Sequence, residues 1–255
     1  MTKRRTYPRR GLHGAVVHDV GVRIVRGELE PGATLSDNGV VDEAAVSRTV
    51  VREAIKVLAA KGLVESRPKT GTRVRPRRDW NLLDPDVLAW QIEAGPDADF
   101  LGQALELRRM IEPAVARLAA ERATDEQVAA LHEAYEEMAA AGDDLDAFMA
   151  PDLRFHNLLL EACRNELLEH MSEIFTAVLR TVFAYSSSSS RAYPKAARRH
   201  RAIVRAIEAR DPDAAEQAVL QLIDDTKGNL ASAVRRGQRE VDGGRRARGP
   251  AGEDS

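Results

Sequence analysis

The chain has 255 residues, a single cysteine, 4% aromatic residues and a formal net charge of −2. This length accommodates two ordinary domains, one cysteine excludes an intramolecular disulfide framework and fits a reducing cytoplasm, and neither a bilayer-spanning apolar run nor a secretory signal is expected. Residues 1–80 hold 17 Lys/Arg against 9 Asp/Glu, a net of +8, while the remainder is acidic, which points the first third of the chain toward a polyanion.

Residues 1–14 read as a flexible basic arm. Ala15–Glu28 then places Val16, Val17, Val20, Ile24 and Val25 at helical spacing, and Pro31-Gly32 ends that unit in a turn. A second helix is expected near Val40–Ala45. A third, strongly periodic one runs over Arg48–Lys61, with Val51, Ala54, Ile55 and Leu58 on one face and Gly62 where a C-terminal cap belongs. Leu63–Ser66 and Thr72–Arg75 read as two strands joined by the turn Arg67-Pro68-Lys69-Thr70-Gly71. Three helices followed by a basic hairpin is the order of a winged helix-turn-helix, here over residues 15–75. Residues 76–97 read as a linker and connecting helix.

Beyond that point the chain is mainly α, in keeping with its abundance of Ala, Leu, Glu and Arg. Helices are expected at Asp86–Ala94, Ala98–Ala123, Asp125–Ala141, Leu145–Cys163, Glu166–Tyr185, Lys195–Ala209 and Pro212–Val234. Thr124 and Gln127 form a capping-box pair, and Asp211-Pro212 opens the last helix. An all-helical bundle thus covers 98–234, with a disordered tail expected at 235–255.

The segment with the sharpest chemistry is Ser47–Leu58. The Ser47 hydroxyl suits a helix N-cap, and the helix end it leaves facing outward suits a phosphate oxygen. Arg48 and Arg52, four residues apart, project from one face and can reach guanine edges or phosphates. Ser47 and Thr49 are short donors for phosphates, and Arg67, Lys69 and Thr70 sit at the wing tip. The plainer alternative is a solvated helix face whose arginines pair with Glu53.

The stretch VSRTVVREAIKVLAAKGLVESRPKTGTRV resembles the signature of the GntR family of regulators, and that resemblance implies DNA contacts from Arg48, Thr49, Arg52, Lys69 and Gly71. One departure stands at Asp37–Gly39, where the family opens a Leu/Ala-rich helix. Three later segments, LELRRMIEPAVARLAAERAT, DLRFHNLLLEACRNELL and HRAIVRAIEARDPDAAEQAV, are similar to the helical FCD domain of the FadR-type branch. WNLLDPDVLAW and IEPAVARLAAERAT look most like its sugar-acid subset.

Asp152 and His156 are four residues apart, so a carboxylate and an imidazole share one helix face. With His200 from another helix they make a candidate divalent-metal site, for zinc, nickel or manganese alike. The alternative is a pair of buried histidines hydrogen-bonded to Asp152. The resemblance implies a fourth ligand near residue 222, where this chain has Leu222. Arg108 occupies the arginine of the family pattern R-x-x-x-E, with Glu112 one turn on. It reads as an anchor for a carboxylate effector, or else as one half of a salt bridge with Glu112. Arg154, Asn165 and Arg180 are further effector candidates.

Together with the resemblance, these residues lead to the expectation of a cytoplasmic repressor that makes no membrane contact and responds to a small organic acid, and the resemblance implies that it binds operator DNA as a homodimer. The alternatives are a helical metal-dependent hydrolase fused to a DNA-binding module, and an architectural DNA-binding dimer without effector.

Overall fold

The computed structural model describes residues 11–35, 47–67, 71–95, 97–186 and 192–247. The chain divides into two compact units, Met1–Asp97 and Ala98–Ser255.

The first unit comprises α1 (Gly11–Val25), β1 (Thr34–Leu35), α2 (Arg48–Ala60), β2 (Val64–Arg67), β3 (Gly71–Val74), a short 3-10 turn at Arg77–Asp79 and α3 (Pro85–Ala94). The helix expected near Val40–Ala45, the departure at Asp37–Gly39 and the wing-tip residues Lys69 and Thr70 lie outside the described residues. The three strands form an antiparallel sheet in the order β1-β3-β2. Val64 faces Val74 and Arg67 faces Gly71, which fixes the wing's register. The sequence pattern showed only the hairpin. Thr34 and Leu35 are too few to show alternation, and they become a strand by pairing with Arg73 and Thr72.

The core of this unit joins Val17, Val20 and Ile24 of α1 to Leu58, Leu63, Val64 and Val74. It also includes Trp80, Val87 and Trp90, so the segment expected as linker and connecting helix packs into the core of the first unit. The tryptophans explain this: each buries a large apolar ring and needs a partner for its indole N–H. Trp80 Nε1 donates to the Arg75 carbonyl at 2.8 Å, and Trp90 Nε1 donates to His18 Nδ1 at 3.0 Å. His18, which no sequence pattern singled out, thereby bridges to Glu93, 3.1 Å from its Nε2. Gly21 makes the close approach of α1 to α3 possible, because a Cβ there would lie 2.6 Å from the Trp90 ring.

The second unit is all-helical among its described residues: α4 (Ala98–Arg122), α5 (Asp125–Ala140), α6 (Leu145–Ala162), α7 (Glu166–His170), α8 (Ser172–Ser186), α9 (Ala192–Glu208) and α10 (Pro212–Ala247). The capping box is present, with Gln127 N–H donating to Thr124 Oγ1 at 3.3 Å and Thr124 N–H donating to Gln127 Oε1 at 3.0 Å. The single helix expected over Glu166–Tyr185 is broken at Met171. The α10 backbone continues to Ala247, past Val234, because Arg235, Arg236, Gln238, Arg239 and Glu240 are strong helix formers. The same stretch holds Gly237, Gly243 and Gly244, each costing about 1 kcal/mol relative to alanine. The core packs Leu131, Met138, Phe148, Phe155, Leu159, Phe175, Ile203 and Ile207 against a seam of buried alanines, among them Ala116, Ala119, Ala120, Ala134, Ala162 and Ala215. Among the described residues, no helix is long and apolar enough to cross a membrane.

Candidate functional site

Helix α2 begins as its sequence requires. Ser47 is extended, and its hydroxyl accepts the Val50 N–H at 3.4 Å, completing the N-cap. Val51, Ala54 and Leu58 face the core. Arg48, Thr49 and Arg52 are exposed. Glu53, the expected partner of the arginines in the plainer reading, is instead paired with Lys56 at 2.7 Å. No ion pair among the described residues engages Arg48 or Arg52, so both guanidiniums are available to an external acceptor. In the wing, Arg67 is exposed and lies 3.2 Å from Glu65, and Gly71 opens β3 with φ +77°. Arg73, missed in the sequence, projects from the exposed face of β3 between buried Thr72 and Val74. The two-residue period of the strand was the signal that would have found it.

In the second unit, α4, α6, α8, α9 and α10 surround a cavity of about 50 Å³, room for a few water-sized groups. Arg108, Asp152, His156 and His200 converge on it, and Leu222 lines it from α10. All four polar residues are buried. Arg108 Nε and Nη2 donate to the two Glu112 oxygens at 2.6 and 3.2 Å, a bidentate pair within one helix. Its Nη1 has no partner among the described residues. Glu112 also stands 3.4 Å from His156 Nδ1.

The electrostatics follow from burial and these neighbours. Burial drives the His156 imidazole below its ordinary pKa, and the opposing pull of Glu112 and Asp152 does not reverse it. Burial pushes the Glu112 carboxyl up, but the Arg108 guanidinium and His156 outweigh it and hold it below the ordinary carboxylate range. Asp152 is likewise pushed up by burial and brought lower by His200, His156 and Arg108 together.

His200 carries the most telling atom. Its Nδ1 is 2.8 Å from the Ala196 carbonyl, which can only accept, so Nδ1 bears the proton. Its Nε2 is buried, makes no hydrogen bond and lies 3.2 Å from Asp152 Oδ1. A cation between these two atoms would give both a partner. The donor atoms of Asp152, His156 and His200 lie within 4.8 Å of one another. Carboxylate and imidazole are ordinary ligands for a divalent metal, so the residues fit one.

The cavity also contains polar residues the sequence reading did not name: Tyr193, Thr226 and Asn229. Thr226 and Asn229 fall on the face of α10 that carries Leu222, at helical spacing, and that periodicity was their only signal. The remaining effector candidates lie elsewhere. Arg154 is exposed and reaches Glu137 on α5 at 3.1 Å. It stands two residues from Asp152, which turns it to the opposite side of α6. Asn165 caps α7, accepting the Leu167 N–H at 3.1 Å. Arg180 is exposed on α8, whose inward face carries Leu179 and Val182.

Comparison with known proteins matches both units. Residues 12–74 match the family described as bacterial regulatory proteins, gntR family, and residues 103–225 match the FCD domain. The galactonate operon transcriptional repressor of Escherichia coli K12 is 38% identical over 210 residues, covering 82% of this chain and 92% of that protein. The regulator LutR of Bacillus subtilis is 32% identical over 207 residues, 77% of this chain and 91% of its own length. A probable D-xylose utilization operon repressor of Paenarthrobacter nicotinovorans is 33% identical over 200 residues, 78% and 79% of the two chains. Among solved structures, Lar, which controls expression of the Listeria monocytogenes agr system, shares the fold. Its TM-score is 0.62 at 17% identity, over 89% of this chain and 99% of that one.

Proposed function

Since the chain belongs to the GntR family of bacterial regulatory proteins and carries an FCD domain, it is a DNA-binding transcription regulator and not an enzyme, and we propose that a small organic acid controls it. Family membership sets aside the reading of a metal-dependent hydrolase. The observation that carries the proposal is the convergence of the buried Arg108 with Asp152, His156 and His200 on one cavity. An inward guanidinium with one terminal nitrogen uncommitted is suited to a carboxylate. The surrounding carboxylate, imidazoles, Thr226 and Asn229 are suited to hydroxyl groups. The 38% identity to the galactonate operon repressor makes a sugar acid the first class to test, and the side chains around the cavity of about 50 Å³ must move apart to admit one.

Asp152, His156 and His200 would hold a divalent cation. Bound there, such an ion supplies a fixed positive charge for an anionic ligand. Leu222 contributes no donor, so the protein offers three ligands and leaves further positions to water or to the acid.

In this reading the protein acts in the cytoplasm as a homodimer, two copies of α2 occupying the half-sites of a palindromic operator. The acid binds preferentially to an arrangement that does not hold DNA, and so releases repression by shifting the population. The test is a thermal-shift series with galactonate and other sugar acids, with and without zinc or manganese, followed by DNA release. Acids that raise the melting temperature and release DNA support the proposal. A panel that does neither, on protein competent to bind DNA, overturns it.

A further inference from the structure

The first unit contains a buried ion cluster that neither the DNA-reading face nor the ligand cavity uses. Lys61 follows the last residue of α2. Its ammonium lies 2.8 and 3.0 Å from the Asp84 oxygens and 2.6 Å from Asp86 Oδ2. The three side chains are 11%, 19% and 9% exposed, and the ammonium also sits 5.9 Å from the Trp90 ring. Burial pulls the Lys61 pKa down, but its two carboxylate partners outweigh this and raise it, so the ammonium stays charged.

The cluster joins two helix ends. Lys61 is the C-cap of α2, the negative end of that helix, and Asp84 is the N-cap of α3, accepting the Asp86 and Val87 N–H groups at 2.9 and 3.3 Å. Each charge therefore also complements the helix terminus it sits on. Backbone contacts reinforce the join. Asn81 N–H donates to the Lys61 carbonyl at 3.0 Å, and Gly62, at φ +77°, lies so close to the Asp79 carbonyl that a Cβ would stand 2.5 Å from it.

We infer that Lys61 is a positioning residue for sequence reading: by tying the C-terminal end of α2 to the N-terminal end of α3, it sets the tilt at which Arg48, Thr49 and Arg52 meet DNA. The leverage is geometric. Helix α2 has 13 residues and is therefore about 20 Å long. A pivot of about 5° at its C-terminal end moves its other end by roughly 1.7 Å, several times the spread of good hydrogen-bond distances. Base-edge contacts do not survive that shift. Phosphate contacts made by long, mobile side chains do. Burying an ion cluster here gains little net stability over an apolar packing, and fixing one geometry is the use such clusters are suited to.

The experiment uses the full chain and two DNA probes, a duplex selected from a random library by the parent protein and a random-sequence duplex. The charge-free variant Lys61→Met/Asp84→Asn/Asp86→Asn retains the lysine stem's volume and the Asn N-cap. The expected result is a loss of at least about tenfold in affinity for the selected duplex, unchanged affinity and salt dependence on the random one, and a melting temperature close to the parent's. A selected-to-random affinity ratio equal to the parent's overturns the inference and leaves the cluster a purely structural join. Should that variant not fold, Lys61→Arg decides, since it keeps the charge but not the ammonium's compact geometry. A lowered ratio at parental melting temperature supports positioning, and a parental ratio refutes it. A parent protein that selects no sequence would overturn the DNA-reading face itself.

Discussion

Glu112→Gln tests whether the cavity's guanidinium depends on its internal carboxylate. Arg108 and Glu112 are 5% and 8% exposed at their side chains and are joined by two hydrogen bonds. The amide keeps one acceptor but presents N–H to N–H at the second contact and removes the compensating charge. Breaking a buried pair from one side costs about 3–5 kcal/mol. For a unit of this size each kcal/mol lowers the melting temperature by about 2–4 °C, so a drop of roughly 6–20 °C is expected in the second unit's transition. The double variant Arg108→Met/Glu112→Leu removes both charges at similar volume and recovers most of that loss, because neither member of the pair is left buried without the other. Calorimetry on parent, single and double variants, followed through the second unit's transition, measures this. A single variant melting within about 2 °C of the parent, or a double variant no better than the single, would refute the reasoning.

Three further outcomes are expected. Arg48→Ala/Arg52→Ala weakens DNA binding and lowers its salt slope by up to about 1.8, roughly 0.9 for each phosphate no longer neutralised; fluorescence anisotropy at several salt concentrations measures both, and no change in either would refute the α2 assignment. Gly21→Ala gains about 1 kcal/mol of helix propensity but drives a methyl into the buried, hydrogen-bonded Trp90 ring. Overpacking of that kind costs about 1–3 kcal/mol, so the first unit should lose stability in a urea titration, and a gain would show that the ring yields. Asp225 is hydrogen-bonded to Lys195 and Arg199, both at 2.8 Å, and these partners outweigh burial and hold its carboxyl below the ordinary range. A folded pKa below the unfolded one stabilises fully above about pH 3.9 and fades as pH falls through the folded value. The melting difference between parent and Asp225→Asn should therefore be present at neutral pH and vanish in acid.

What the sequence revealed was whatever depends on local spacing. Ser47 as cap, the Thr124–Gln127 box and the shared face of Asp152 and His156 all follow from the helical period. His200 lies on another helix, where no local spacing ties it to that pair, and it was named as the best candidate alongside the family resemblance. What escaped depends on partners far along the chain. Residues 76–97 look like a linker and connecting helix until Trp80 and Trp90 are seen to close the first unit's core. Thr34 and Leu35 are a strand only because β3 runs beside them. Arg154 stands two residues from Asp152 and so faces away from it, a relation already contained in the helical period. Asn165 gives no such signal, for a turn asparagine can cap a helix or bind a ligand with the same atoms.

The alanine seam of the second unit carries a consequence for how this regulator tolerates change. Ala116, Ala119, Ala120, Ala134, Ala162 and Ala215 are wholly buried, so the helices approach through positions with almost no side-chain volume to lose. Truncation at these sites can remove only one methyl, to glycine, at about 1 kcal/mol of helix propensity, so growth is the larger hazard. Each added methylene must push neighbouring backbones apart rather than fill a gap, at about 1–3 kcal/mol apiece. Drift at these positions is therefore asymmetric, because they accept almost nothing larger.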